Sequence, residues 1–282
     1  MTCKSLLTVV TRATALHRQL DAAVALARSH DAHLDILCLT LDRAMAGYYY
    51  VGAAPLAPIV LQETVNRARE DALALEAGVR ERMSGEEIRW AVETAVAPVD
   101  SVIGQVGHVA RFADMVVLPK PFGKDAAPDE DLVVEAALFE AGAPALLLPD
   151  DVHGANFGKV ITIGWNDSRQ SLNAVRAAMP FLKAATRVDV AIVEPDPRGP
   201  ERSDPGGLLS QYLARHGVRA ELSVLARTEP RVSETLVRHA VEKGSDMMVI
   251  GAYGHSRFRE AILGGATREL FEIAPLPLFA VH

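Results

Sequence analysis

The sequence predicts an α/β protein built from two tandem doubly wound domains. Short apolar segments alternate with amphipathic helical segments, and three local patterns between residues 98 and 140 recur 132 residues later. Because alternating strands and helices join parallel strands through right-handed crossovers, each half is expected to bury a parallel sheet between helices. About half of the residues (49%) are apolar and 23% are charged, a composition that supports two buried cores.

The repeat is carried by three matches at one offset. Residues 112–118 recur as residues 244–250, Pro98 recurs as Pro230, and residues 138–140 recur as residues 270–272. Duplication of one folding unit explains all three. It predicts one domain at residues 1–150 and a second at residues 156–282, with a short polar linker between them.

Both halves have the same predicted order of elements. Strands are predicted at residues 6–10, 34–40, 88–95, 115–118 and 145–148 in the first half, and at 160–165, 188–193, 220–226, 247–250 and 278–281 in the second. Ala-rich amphipathic helices are predicted at residues 15–29 and 168–183, after the first strand of each half. A long helix at 59–83 follows the second strand of the first half, whereas the Pro- and Gly-rich residues 194–207 leave room for only a short helix in the second.

Charge and composition exclude several classes of function. Residues 1–150 contain 13 Lys and Arg against 21 Asp and Glu, and residues 151–282 contain 16 against 15. Sequence-independent binding of nucleic acid needs a basic face, so no nucleic-acid partner is expected. No segment approaches the ~18 apolar residues of a membrane-spanning helix, and the apolar run before Thr11 is too short for a signal peptide. Cys3 and Cys38 lack disulfide or C-x-x-C spacing, which favours a cytoplasmic location.

The stretch with the most chemical information follows the fourth strand of the second half. Gly251, Gly254 and Gly264 form the pattern G-x2-G-x9-G, after which Gly265 and Thr267 begin a helix. Glycines let backbone N–H groups approach a phosphate, and a helix start adds unpaired donors and the positive end of the helix dipole. A tight turn or a close helix crossing would explain isolated glycines equally well.

This spacing resembles the nucleotide loop of the universal stress protein family, and the resemblance extends over nearly all of the chain. The Ala-rich first helices, Pro98 and Pro230, and Asp114 and Asp246 before the fourth strands also fit it. The resemblance implies a five-stranded parallel sheet of order 3-2-1-4-5 in each half, adenine near the ends of strands one and two, and phosphates on the glycine loop. It further implies a regulator that binds ATP or a related adenine nucleotide, with or without Mg2+, and acts through association.

Two positions of the second half depart from the family pattern. Gly265 stands where the family has Ser or Thr, and a hydroxyl follows only at Thr267. Asn166 stands where the family has an acidic residue; it can hydrogen-bond a base or ribose, or belong with Ser168 to an ordinary helix N-cap. The predicted nucleotide-binding residues are Asn166, Gly251, Gly254, His255, Gly264, Gly265 and Thr267.

The first half departs further from the pattern. Pro119 and Phe122 stand where Gly251 and Gly254 stand in the second half. Proline has no N–H and phenylalanine blocks close approach of a ligand to the backbone. The first domain is therefore predicted to have lost nucleotide binding and to serve as a structural or regulatory partner.

Three functions stay open on the sequence. The first is the nucleotide-binding regulator, the second is a stress-linked scaffold or small-metabolite sensor, favoured by Gly265 and Asn166, and the third is a slow Mg2+-dependent ATP hydrolase. No nucleophile or base motif is found, so no catalytic residue and no metal site is assigned. The last strand of each half is an edge, and the family pairs such edges across a dimer, so the halves are expected to form an intrachain pseudo-dimer. A further homodimer also stays open.

Overall fold

The computed structural model describes residues 3–43, 58–122, 126, 130–152, 154, 156–195, 203–252 and 265–282. The strands are β1 (Ser5–Val10), β2 (His33–Asp42), β3 (Arg89–Pro98), β4 (Met115–Pro119), β5 (Ala145–Leu148), β6 (Val160–Gly164), β7 (Arg187–Val193), β8 (Ala220–Leu225), β9 (Met247–Gly251) and β10 (Leu278–Val281). The α-helices are α1 (Ala13–His30), α2 (Pro58–Met83), α3 (Val102–Ala110), α4 (Glu130–Glu135), α5 (Arg169–Ala177), α6 (Met179–Ala184), α7 (Gly207–Arg215), α8 (Val232–Glu242) and α9 (Gly265–Ile273). A π-helical turn, Ala136–Glu140, continues α4.

The strands form one ten-stranded sheet in the order β3-β2-β1-β4-β5-β10-β9-β6-β7-β8. Within each half the order is 3-2-1-4-5 and every pair is parallel, which confirms the predicted fold class. Apart from the edge strands β3 and β8, which are partly exposed, the strands bury apolar side chains on both faces, as parallel sheets require.

The two halves meet where β5 and β10 pair antiparallel, with Leu278 opposite Leu147 and Phe279 opposite Leu146. This pairing satisfies the backbone groups that two exposed edge strands would leave open. Because the joint is antiparallel, the carboxyl ends of the strands in the first half lie on the same side of the sheet as the amino ends in the second.

Helices cover both faces of the sheet. On one face, α1, α2, α5, α6 and α7 pack over a single apolar cluster that runs through both halves. On the other face, α3, α4, α8 and α9 do the same over a second cluster. Within the described ranges, no helix combines the length and apolar character needed to cross a bilayer.

An aspartate before the fourth strand ties down the start of the first strand in each half. The Asp114 carboxylate accepts hydrogen bonds from the backbone N–H groups of Lys4 (2.7 Å) and Ser5 (3.0 Å). Asp246 accepts them from the N–H groups of residues 158–160 at 2.8 to 3.1 Å. The repeated aspartate therefore has a structural role, which is to satisfy donors where a parallel strand begins.

The single helix predicted at residues 168–183 is wrong in one respect, because the structure divides it into α5 and α6. Pro180 lies in the first turn of α6 and has no N–H to donate to a preceding carbonyl. The interruption follows from this missing donor, and Ala178 joins the two helices.

Candidate functional site

The predicted site lies at the carboxyl ends of β6 and β9, which are adjacent in the second half. Gly164, the last residue of β6, pairs with Ile250 of β9. β7 lies on the other side of β6, so the strand order reverses at this point. Such a switch point opens a crevice at the carboxyl edge of a doubly wound sheet, where ligands of this fold class bind.

The turn that leaves β6 is held by its own side chains. The Asn166 side chain is exposed, and its Oδ1 accepts a hydrogen bond from the Ser168 backbone N–H at 3.3 Å. Asp167 has a left-handed backbone, with φ of 55°. Ser168 is the N-cap of α5, since its Oγ accepts a hydrogen bond from the Ser171 N–H at 3.1 Å. The cap belongs to Ser168, and Asn166 makes the preceding turn while its Nδ2 amide group can still donate to a ligand.

Gly251 has a packing reason to be glycine. A Cβ at this position would lie 2.3 Å from the backbone N of Ser171, 2.6 Å from the carbonyl C of Gln170 and 2.7 Å from the Cα of Ser171. No side chain fits between the end of β9 and the first turn of α5, so helix and strand backbones are in direct contact. Sequence reasoning did not identify this contact, because the two segments are 80 residues apart.

Helix α9 begins at Gly265, and Thr267 is its third residue and buried. Thr267 thus lies inside the helix rather than at its cap. A Cβ on Gly265 would lie 3.6 Å from Glu269 Oε1, which is ordinary contact, so packing does not require glycine there. Because β9 ends and β10 begins at opposite edges of the sheet, the first turn of α9 lies toward the carboxyl edge, with the positive end of the helix dipole.

Two residues outside the prediction hold α9 against α8. The buried Ser233 donates a hydrogen bond through Oγ to Glu269 Oε2 at 2.5 Å, and Arg231 Nε lies 3.5 Å from Glu269 Oε1.

The structure brings Asn166, Gly251 and the α9 start to one edge of the sheet. Gly254, His255 and Gly264 lie outside the described residues, so their part in the site stays a prediction. In the part of the chain that the structure describes, no group of three or more His, Cys, Asp or Glu residues could hold a metal ion.

Comparison with known proteins identifies the family of this half. Residues 158–282 match the model of the universal stress protein family. The second half of the chain is a universal stress protein domain. A comparison with curated proteins finds no match.

The whole chain has the fold of solved universal stress proteins. It matches the crystal structure of one from Archaeoglobus fulgidus DSM 4304 with a TM-score of 0.70 and 11% identity, covering 98% of this chain and 97% of that one. It also matches a putative universal stress protein from Pseudomonas aeruginosa UCBPP-PA14 with a TM-score of 0.61 and 14% identity, covering 99% and 93%. A functionally unknown protein of Pseudomonas aeruginosa PAO1 matches with a TM-score of 0.58 and 14% identity, covering 99% and 92%. The universal stress protein fold, in two tandem copies, therefore spans both halves.

In the first half, an internal ion pair occupies the position that corresponds to the candidate site of the second half. Strand register makes Thr11 the counterpart of Asn166, because Thr8 pairs with Val117 as Ile163 pairs with Val249. Thr11 Oγ1 donates a hydrogen bond to Glu130 Oε1 at 3.0 Å. Arg12 Nε lies 2.8 Å from the same oxygen, with side chains 14% and 4% exposed. Glu130 is the first residue of α4, so a carboxylate of the chain itself is held beside the start of that helix.

A second buried polar cluster lies in the universal stress protein domain, at the other end of the strands. Asp189 of β7 is fully buried; its Oδ1 accepts a hydrogen bond from Ser223 Oγ at 2.7 Å, and its Oδ2 lies 2.7 Å from Nε2 of His239. Lys243 Nζ lies 3.5 Å from Asp189 Oδ1. Its place in the amino half of β7 puts this cluster away from the candidate site. The sequence analysis missed this cluster; the signal that could have revealed it is an aspartate within an apolar strand.

Proposed function

We propose that the second domain binds ATP or a related adenine nucleotide at the carboxyl edge of β6 and β9, and that the bound state regulates association with partners. The observation that carries the proposal is the convergence of Asn166, Gly251 and the first turn of α9 at the switch point. The ligand class comes from the family of residues 158–282, one member of which, from Archaeoglobus fulgidus, is in complex with dAMP.

The described residues have the chemistry that such a ligand needs. The Nδ2 group of Asn166 can donate to a base nitrogen or a ribose oxygen. The first turn of α9 supplies N–H donors and a positive dipole end for phosphate oxygens. Mg2+ would be held through the nucleotide phosphates, since the described residues contain no cluster of metal ligands.

The first domain is proposed to bind no nucleotide. Its counterpart of Asn166, Thr11, already donates to the Glu130 carboxylate, and Arg12 neutralises that carboxylate. A nucleotide would have to displace a buried ion pair and lie beside a negative charge, which is unfavourable. We propose that this domain serves as the structural partner in an intrachain pseudo-dimer, which the β5·β10 pairing supports. The two cysteines are free thiols, which supports a cytoplasmic location.

Calorimetry with ATP, ADP and AMP in the presence of Mg2+ tests the proposal. We expect binding in the micromolar range at one site per chain. Gly254→Glu should abolish it, because a bulky carboxylate would repel phosphates from the glycine loop. Gly104→Glu is the matched control: Gly104 is exposed in α3, a Cβ there meets nothing within 4 Å, and the change in charge is the same.

The remaining functions predict different results. No heat at high nucleotide concentration would overturn the proposal and favour the scaffold or small-metabolite sensor, which Gly265 and the neutral Asn166 also favour. Steady release of phosphate from bound ATP would favour the slow hydrolase. Binding without phosphate release supports the regulator.

A further inference from the structure

The segment that replaces the glycine loop in the first half contacts the helix that follows the glycine loop in the second. Lys120 comes directly after β4, and its Nζ donates hydrogen bonds to the backbone oxygens of Glu272 (3.1 Å) and Ala274 (2.7 Å). The guanidinium carbon of Arg268, on α9, lies 4.9 Å from the centre of the Phe122 ring. Residues 120–122 of one domain thus hold α9 of the other at two points.

The Lys120 contact satisfies groups that a helix cannot satisfy by itself. The last carbonyls of a helix have no intrahelical donor, and a donor or a cation near them is stabilising. The amine is half-buried, and burial lowers the pKa of Lys120 to about 8. A neutral amine retains two N–H donors, so both hydrogen bonds can persist after deprotonation.

The base of the Lys120 side chain is fixed by the sheet. Its backbone N–H donates to the Leu148 carbonyl of β5 at 3.0 Å. Asp150, whose carboxylate lies near the amine, is held by Arg18 at 2.5 Å. The amine is therefore presented by a strand end and does not depend on a loose surface loop.

Glu269, the residue after Arg268 on α9, is held by its own domain, because its carboxylate accepts a hydrogen bond from Ser233. The helix has nine residues, which corresponds to a length of about 13 Å. A rigid helix of this length passes a change in orientation at its C-terminal end to its N-terminal turn, where the proposed phosphate site lies. The two ends of α9 are therefore expected to move together.

We propose that residues 120–122 of the first domain form a positioning contact that holds α9 and thereby sets the nucleotide affinity of the second domain. The degenerate first domain would in this way regulate the intact one. The effect on affinity rests on the proposed nucleotide function, whereas the contact itself does not. By thermodynamic linkage, nucleotide bound at the start of α9 must in turn stabilise the contact at its end.

Two variants and two readouts test the proposal on the full chain. Lys120→Met keeps the apolar stem and removes the donors, and Phe122→Ala removes the ring that faces Arg268. Lys183→Met makes the same change in charge at an exposed position of α6 and serves as the control. Amide hydrogen exchange across residues 265–273 reports the order of α9 without nucleotide, and calorimetry reports the affinity for ATP.

We expect exchange across residues 265–273 to be about fivefold to tenfold faster in Lys120→Met than in the control, since two hydrogen bonds at the end of the helix are lost. The affinity for ATP should fall by a similar factor, while exchange of the β1 and β4 amides stays unchanged. Nearly all molecules of a stable domain are folded, so a loss of global stability in Lys120→Met would not by itself change the measured affinity for ATP.

The outcomes separate the two proposals. Faster exchange in α9 with no ATP binding by the wild type would support the positioning contact and refute the nucleotide function. ATP binding by the wild type, with exchange and affinity in both variants equal to those of Lys183→Met, would overturn the positioning contact. Faster exchange in α9 with an unchanged affinity for ATP would overturn the proposed effect of this contact on the nucleotide site.

Discussion

Gly251→Ala should strongly destabilise the second domain, although alanine is ordinarily the better residue in regular structure. The added Cβ would lie 2.3 Å from the backbone N of Ser171 and 2.7 Å from its Cα. Ordinary contact between such atoms is roughly 3.5 Å, so the first turn of α5 must move away from β9 by about 1 Å. Backbone cannot rotate aside as a side chain can, which places the cost at the upper end of overpacking, about 3 kcal/mol.

Gly265→Ala is the matched substitution, since it adds the same methyl group at another glycine of the predicted nucleotide loop. Its Cβ would meet only Glu269 Oε1, at 3.6 Å. Alanine is favoured over glycine in a helix, so we expect this variant to be stabilised by about 0.5 kcal/mol. The two substitutions are thus expected to have opposite signs.

Urea denaturation followed by tryptophan fluorescence measures this difference. Each half has one tryptophan, Trp90 and Trp165, and Trp165 follows β6 beside the affected turn. In a Trp90→Phe background the signal reports the second half alone. With a slope of about 3 kcal/mol per M, the midpoint of Gly251→Ala should fall by about 1 M urea. A midpoint equal to that of Gly265→Ala would refute the inferred contact between backbones.

Three further variants test other features of the structure. Glu130→Gln should lower the free energy of unfolding by about 3 kcal/mol, because Arg12 keeps a buried charge without its partner. The double variant Arg12→Met/Glu130→Met removes both charges and should recover most of the loss in the same urea assay. Asp189→Asn should lower the free energy of unfolding by about 2 kcal/mol, because the substitution replaces one acceptor oxygen of a buried carboxylate that bonds Ser223 and His239; an unchanged melting temperature would contradict this. Burial lowers the pKa of Lys120 from 10.5 to about 8. Between these pH values the amine is protonated in the unfolded chain but neutral in the folded one, so the contribution of Lys120 to stability rises with pH through that window. Urea titrations at pH 7 to 10 should show the wild type gaining stability relative to Lys120→Met, and a difference independent of pH would contradict the assigned burial.

The candidate site could be predicted from the sequence only in part. The glycine spacing and the position of Asn166 pointed to the carboxyl edge of β6 and β9; strand pairing places Gly251 and the end of β6 at that edge, and the rest of the predicted loop lies outside the described residues. Whether Asn166 or Ser168 caps α5 could not be decided from residue types, because both are good capping residues. The hydrogen bond that identifies Ser168 depends on the backbone of the turn, including the left-handed Asp167.

The sequence by itself determined the fold class and the approximate bounds of most elements, and it predicted an internal repeat. Apolar runs and helical periodicity are local properties, and a repeat needs only the chain compared with itself. Tertiary structure alone decided which residues meet across long separations: the antiparallel joint of β5 and β10, the Glu130 carboxylate beside Thr11, the α5 backbone against Gly251, and the Lys120 amine at the end of α9. These contacts join residues about 80 to 150 positions apart, and no local pattern encodes them, because they arise only when packed elements bring the segments together.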